Sequence, residues 1–297
     1  MKTNETLDLF FERVGGELPG GWLEERVPDD QRDALIRLFA SSEFFRDLFQ
    51  ANASWALSEL DWASPPVDTV SLLFDEAVPI SSTLAEDEFL ADLRQRRRRC
   101  MLHIVWSSFV DPDGLDRALF AMSALADSVI RQSLLYSKEQ LVARLGRPVG
   151  ASSGEEQALL VVAMGKMGGY ELNLSSDIDI MFAYNDPGET MGGRKSVSNQ
   201  EYFTRQAQAI IRYLDSVTAD GRVFRVDTRL RPFGDSGALV ANLPALETYY
   251  QEHGRNWERY ALMKARVISL APAQHQEIND LFRHFVYRRY TDAGIID

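Results

Sequence analysis

The sequence predicts an α+β protein: a long helical region, then a short set of strands interleaved with helix, then helix again. Three observations carry this. Apolar residues recur at helical spacing through roughly the first hundred positions. A short β-branched apolar run, Ala158-Leu159-Leu160-Val161-Val162-Ala163-Met164, then breaks that spacing just before a glycine turn. Two more strand-like stretches follow, with an amphipathic helix between them.

From Asn4 to about Val110 the pattern is helical, as in Leu35, Leu38 and Phe39 and again in Leu90 and Leu93, with Pro65-Pro66 and Pro79 as breaks. Arg94 and the run Arg96 to Arg99 precede Cys100-Met101-Leu102-His103-Ile104-Val105-Trp106, as in a helix passing from solvent into a core. The arginines read first as a solvated or salt-bridged face, and in the sharper alternative as a dock for an acidic partner or domain. Asp113 to Leu145 is one long helix or two, stopping before Gly146, Pro148 and Gly150, and Ala151 to Gly154 is a loop. After the strand at Ala158–Met164 come a second strand at Ile178–Tyr184 and a third at Arg222–Leu230, with a helix over Asn199–Leu214 between these two. Gly188 to Ser198, polar and glycine-bearing, predicts a mobile loop. Tyr249 to Ile268 returns to helical spacing, and Ile278 to Tyr290 begins a helix with no cap before the sequence ends, the mark of a fragment cut within a larger helical region.

Bulk properties narrow the function. The 297 residues suffice for two domains, and 45% hydrophobic content can fill a sizeable core. With 32 Lys and Arg against 44 Asp and Glu, the formal charge is -12, so the basic footprint that holds phosphate backbones is missing and nucleic acid is not expected as a partner. No apolar run approaches the ~20 residues of a spanning helix, so no membrane role is expected. A single cysteine, Cys100, and a start without a secretory signal make the cytoplasm the expected location.

The chemistry concentrates around the second strand. Residues two apart on a strand share a face, so Asp177 and Asp179 project together while Ile178 and Ile180 face the core. Two adjacent carboxylates repel unless a cation bridges them, and hard oxygen ligands suit Mg²⁺ or Mn²⁺. Just upstream, Gly165, Gly168 and Gly169 let the backbone approach phosphate oxygens, with Lys166, Ser175 and Ser176 adding donors. On the third strand, alternation places Arg225, Asp227, Arg229 and Arg231 on one face, a third carboxylate among groups shaped to hold phosphate. Taken alone, Asp227 also reads as a structural ion pair with Arg225 or Arg229. Three carboxylates and two ions suit in-line displacement at phosphorus. Gly234-Asp235-Ser236-Gly237 is either a simple turn or a nucleotide contact. Lys264 and Arg266, beyond Trp257-Glu258-Arg259-Tyr260, are expected on a helix with at most one facing the site, taken here as Lys264. His253 has no partner at metal-ligand spacing and reads as incidental.

Gly165-Lys166-Met167-Gly168-Gly169-Tyr170-Glu171-Leu172-Asn173-Leu174-Ser175-Ser176-Asp177-Ile178-Asp179 resembles the signature of the glutamine synthetase adenylyltransferase family. Val226 to Gly237 and Trp257 to Arg266 resemble family motifs in the same order, so the likeness covers roughly the second half of the chain. The resemblance implies a DNA polymerase β-like nucleotidyltransferase domain with a mixed sheet over 113–272, preceded by a helical region over 1–112 and followed at 273–297 by the start of another helical domain. Family proteins hold two such halves, and Asn173-Leu174-Ser175-Ser176 and Tyr249 to Arg255 are similar to the N-terminal, adenylyl-removing half. That implies metal-dependent phosphorolysis of AMP-tyrosine on modified glutamine synthetase, releasing ADP, in the regulation of nitrogen assimilation. Asp177, Asp179 and Asp227 become the ligands of a two-ion Mg²⁺ site, and the signal protein PII becomes a partner. The rival readings are ATP-dependent adenylylation on the same fold and a nucleotide-binding regulatory module without turnover. Nucleotidyltransferases of this fold commonly open the loop with Gly-Ser, where this chain has Gly165-Lys166.

Overall fold

The computed structural model describes residues 10–11, 20–74, 80–81, 83–110 and 114–287. Pro79, Asp113, Tyr290 and the uncapped end therefore lie outside the described residues. The chain divides into two compact units, one of residues 1–79, 90–128 and 170–174, the other of 80–89, 129–169 and 175–297.

The first unit is helical, with α1 (Trp22–Arg26), α2 (Arg32–Ser41), α3 (Glu43–Ala51), α4 (Ala53–Ser58) and α5 (Pro66–Leu73). Most of α6 (Glu86–Val110) and the first half of α7 (Gly114–Leu145) also belong to it. Its core is a chain of aromatic rings meeting edge to face: Trp22 and Trp62 with centroids 5.6 Å apart, Trp62 and Trp106 at 5.4 Å, Phe39 and Phe49 at 4.9 Å. Each of these indoles donates to a backbone carbonyl, Trp22 to Leu57, Trp62 to Ala56 and Trp106 to Trp62, so each of the three ring N–H groups keeps an acceptor on burial.

The arginine run on α6 keeps the salt-bridged character expected at Arg96 and departs from a solvated face at Arg94. Arg94 is almost fully buried and donates to the Leu90 carbonyl at 3.0 Å. Arg96 reaches Asp92 at 2.9 Å and the Leu73 carbonyl at 2.6 Å, and Arg99 lies over the Trp55 ring at 5.3 Å. Burial lowers the Arg97 pKa to about 10. Long aliphatic stems let these side chains pack while their heads find acceptors, which a charge run read as sequence does not reveal.

α7 also departs from expectation. By length and composition it could cross a membrane, but its most apolar 18-residue window is 67% buried within the protein, as in a core helix.

The second unit is built on a mixed five-stranded sheet of β2 (Leu160–Ala163), β3 (Ile178–Tyr184), β5 (Val226–Asp227), β6 (Val240–Asn242) and β7 (Arg266–Ile268), in the order β5-β3-β2-β7. β2 runs antiparallel to β3 and β7, with Val162 opposite Met181 and Val267. β5 and β6 share the other side of β3, both parallel to it, one at its start and one at its end. β2 and β3 are covered on both faces, which is why they read as continuous apolar runs. Val162, Met164 and Met181 pack under Leu246, Tyr250, Leu262 and Phe282 from α10 (Leu243–Glu252), α11 (Asn256–Leu262) and α12 (His275–Val286). On β3, Tyr184 meets Phe203 of α9 (Asn199–Asp215) at 4.8 Å.

Three expectations for this unit need correction. Gly188–Ser198 is not a free loop, because its first five residues form β4 (Gly188–Gly192), antiparallel to β1 (Gly146–Gly150) over the full length of both, and Thr190 N–H bonds the Val197 carbonyl at 2.8 Å. The strand expected over Arg222–Leu230 shrinks to two residues. Upstream, the N–H groups of Val223 and Phe224 bond the Leu214 carbonyl at the end of α9. Downstream, the Asp227 carboxylate accepts the Arg229 N–H at 2.8 Å and turns the chain away. Finally, the helix expected over Tyr249–Ile268 is two helices and β7, so Lys264 and Arg266 lie in a turn and on a strand.

Candidate active site

β2 delivers the chain into α8 (Gly165–Gly168), a single helical turn, and β3 returns beside it, with Met164 N–H bonding the Asp179 carbonyl at 2.9 Å. Two glycines in this turn are required for different reasons. Gly165 has φ 54°, and a Cβ there would overlap Asp179 Oδ2, so the absence of a side chain lets the carboxylate lie against the turn. At Gly168 a Cβ would overlap the Lys264 carbonyl oxygen and come within 2.8 Å of the Ala163 carbonyl oxygen. Gly169 has an ordinary φ of -86°. Lys166 Nζ lies 3.4 Å from Ser176 Oγ, joining the two arms of the loop, and the exposed Ser175 accepts at its carbonyl from Arg225 Nη2 at 3.0 Å.

Asp177 stands just before β3 and Asp179 on it, while Asp227 lies on β5 in register with Asp179. The parallel pairing thus brings the third carboxylate beside the pair. Burial raises the Asp179 pKa, and the charges of Asp227 and Asp177 raise it further. Asp227 moves the other way: hydrogen bonds from Arg229, whose Nε lies 2.9 and 3.0 Å from its two oxygens, hold its carboxyl below the ordinary range. Arg225 Nε pairs with Asp177.

The predicted phosphate-binding residues divide accordingly. Arg225 and Arg229 border the carboxylates and engage them. Arg231 is turned into its own loop, bonding the Thr228 carbonyl at 2.9 Å and hydroxyl at 2.8 Å, and serves as a brace. Lys264 is exposed, and its backbone backs the glycine turn. Arg266 donates to the Met167 carbonyl at 3.1 Å and steadies the same turn from behind, a role that helical spacing could not suggest. Gly234–Ser236 is a 3-10 turn. His253 is a neighbour of Phe233 and Tyr249.

Glu258, within the Trp257-Glu258-Arg259-Tyr260 motif, is buried and accepts from the Tyr249 hydroxyl and the Arg255 N–H, both at 2.8 Å. A glutamate at the third position of the helix, where it can reach back to the cap N–H, was the available sign of this structural role.

Three hard carboxylates on and just before adjoining strands, one with its charge disfavoured by burial and by the other two, are in chemical kind a donor set for a divalent cation. Among the described residues no three His, Cys, Asp or Glu side chains are gathered closely enough to hold an ion as they stand. Arg225 and Arg229 supply the compensating charge in this conformation.

The model of the glutamate-ammonia ligase adenylyltransferase family matches residues 32–280, and the chain belongs to that family. It is 37% identical over 294 residues to the bifunctional glutamine synthetase adenylyltransferase/adenylyl-removing enzyme of Shewanella woodyi, covering 99% of this chain and 30% of that protein. It is 41% identical over 276 residues to the protein of the same description from Pseudomonas aeruginosa, covering 93% and 28%. The chain therefore spans about 30% of the length of the curated relatives it matches. The resemblance read from the motifs is borne out at the level of the family.

Proposed function

We propose that the chain removes AMP from the adenylylated tyrosine of glutamine synthetase by metal-dependent phosphorolysis, on a nucleotidyltransferase domain of the DNA polymerase β-like kind. The observation that carries the chemistry is the register of Asp179 with Asp227, which sets these two carboxylates on adjacent strands beside a glycine turn, with Asp177 two residues before Asp179. Support for the direction is the likeness of Asn173-Leu174-Ser175-Ser176 and Tyr249 to Arg255 to the adenylyl-removing half of the family.

Asp177, Asp179 and Asp227 would hold Mg²⁺, or Mn²⁺ in its place, which when bound neutralises charge on the reacting phosphate oxygens and activates the attacking one. Arg225 and Arg229, which neighbour the carboxylates, would turn to phosphate oxygens, for which their planar forks are suited. Lys166, Ser175, Ser176 and Lys264 surround the glycine turn and orient the incoming phosphate. An oxygen of inorganic phosphate bonds the AMP phosphorus and the bond from that phosphorus to the tyrosine oxygen breaks. ADP leaves, and the tyrosine oxygen takes a proton. Glutamine synthetase is the protein substrate in this reading, and PII a regulatory partner.

The test supplies adenylylated glutamine synthetase, Mg²⁺ and phosphate, and follows ADP. Wild type should release ADP, and Asp177→Asn should keep its fold and lose turnover. No ADP from folded wild-type protein refutes the proposal. Pyrophosphate release from ATP with unmodified glutamine synthetase would establish the opposite, adenylylating activity.

A further inference from the structure

Phe233 is held where bulky residues are rarely found. Its φ is 60°, in the left-handed region, where a Cβ is unfavourable, and the residue is 60% exposed, so burial does not offset the cost. The ring is nevertheless fixed in place. Tyr249 meets it edge to face with centroids 4.6 Å apart, and His253 lies 5.6 Å away. Tyr249 is itself anchored through its hydroxyl to the buried Glu258. The backbone is clamped as well, since Gly234 N–H bonds the Arg231 carbonyl at 2.8 Å and Gly237 N–H bonds the Gly234 carbonyl at 3.1 Å.

This turn is tied to the carboxylates through Arg229, whose guanidinium grips Asp227 and also feels the charges of Asp235, within the turn, and of Asp179. In the strand order β5-β3-β2, the glycine turn joins β2 to β3 and the Phe233 turn leaves β5. On the reading above, a nucleotide with its phosphates at the glycine turn and the carboxylates would meet Phe233 by extending its nucleoside past the end of β5.

We infer that the exposed face of Phe233 is a stacking platform for the base of the nucleotide handled at this site, an inference that rests on the nucleotidyl-transfer reading above. Stacking uses the π-face common to all bases, so the platform contributes affinity with little base discrimination. The strained backbone and the ring contacts present that face before any ligand arrives.

The test is calorimetric titration of the 297-residue chain with ADP and with tripolyphosphate, which has no base, each with Mg²⁺. Phe233→Ala should weaken ADP about tenfold and leave tripolyphosphate unchanged, while Phe233→Trp keeps the wild-type affinity for ADP. Unchanged ADP binding by Phe233→Ala overturns the inference. So does equal loss of both ligands, which would make Phe233 only a prop for Arg229. Wild type binding neither ligand would instead refute the nucleotidyl-transfer reading, and the platform with it.

Discussion

Adding a single methyl group at Gly165 and at Gly168 should cause two different kinds of damage. At Gly168 the backbone is ordinary, so the cost is steric alone. The new Cβ would overlap the Lys264 carbonyl oxygen and stand 2.8 Å from that of Ala163. Ala163 is held on both sides, opposite Ile180 of β3 and Arg266 of β7, and cannot retreat without loss of pairing. Overpacking of this kind costs about 1–3 kcal/mol, which at about 2–4 °C per kcal/mol lowers the melting temperature by about 2–12 °C. At Gly165 the left-handed φ adds about 1–2 kcal/mol, but the obstacle is the end of a side chain, Asp179 Oδ2, which can swing away. The carboxylate would move by about 1 Å, a displacement able to cost on the order of a hundredfold in rate. Calorimetry or circular dichroism measures the first effect, and ADP release from adenylylated glutamine synthetase the second. Gly168→Ala melting with the wild type would refute the steric argument, and a fully active Gly165→Ala would remove Asp179 from the mechanism.

Asp179→Asn should melt higher than wild type at neutral pH while losing activity. The folded pKa of Asp179 is raised, so the stability of its protonated form is present below the ordinary 3.8 and lost as pH rises through the folded value; the neutral amide avoids that loss, and the difference closes toward pH 3.8. Added MgCl₂ should raise the wild-type melting temperature, by about 2.7 kcal/mol of stability at a hundredfold excess over Kd, and should not do so for Asp179→Asn. Arg225→Ala removes an exposed ion pair worth at most about 1 kcal/mol, so it should shift melting little while reducing turnover; a large melting change would recast Arg225 as structural. His103 is fully buried, and burial lowers its pKa to about 4. The unfolded ring gains its proton near pH 6.5 and the folded one only near 4, so stability should fall by up to about 3 kcal/mol as pH drops across that window. His103→Gln should flatten this slope in melts taken at successive pH values.

Much of the site was legible because its central strand is buried on both faces. Ile178–Tyr184 reads as an unbroken apolar run interrupted only by Asp179, and an acid in such a run has few structural explanations. The helix over Asn199–Asp215 was equally plain from its amphipathic spacing. The short edge strands were not, because Val226–Asp227, Val240–Asn242 and Arg266–Ile268 owe their form to partners far away in sequence. Propensity over two or three residues carries too little energy to declare a strand.

What the sequence determined by itself was the pairing of Asp177 with Asp179, the glycine turn before them and the family to which the chain belongs, since all three reside in local spacing. Only the tertiary structure put Asp227 in register with Asp179, turned Arg231 inward, buried Arg94 of α6 and held Phe233 against Tyr249. Those outcomes depend on which backbone groups find partners across the fold. The N–H groups of Val223 and Phe224 are claimed by Leu214 and that of Arg229 by the Asp227 carboxylate, so only the short stretch between them meets β3, and within it Asp227 falls opposite Asp179.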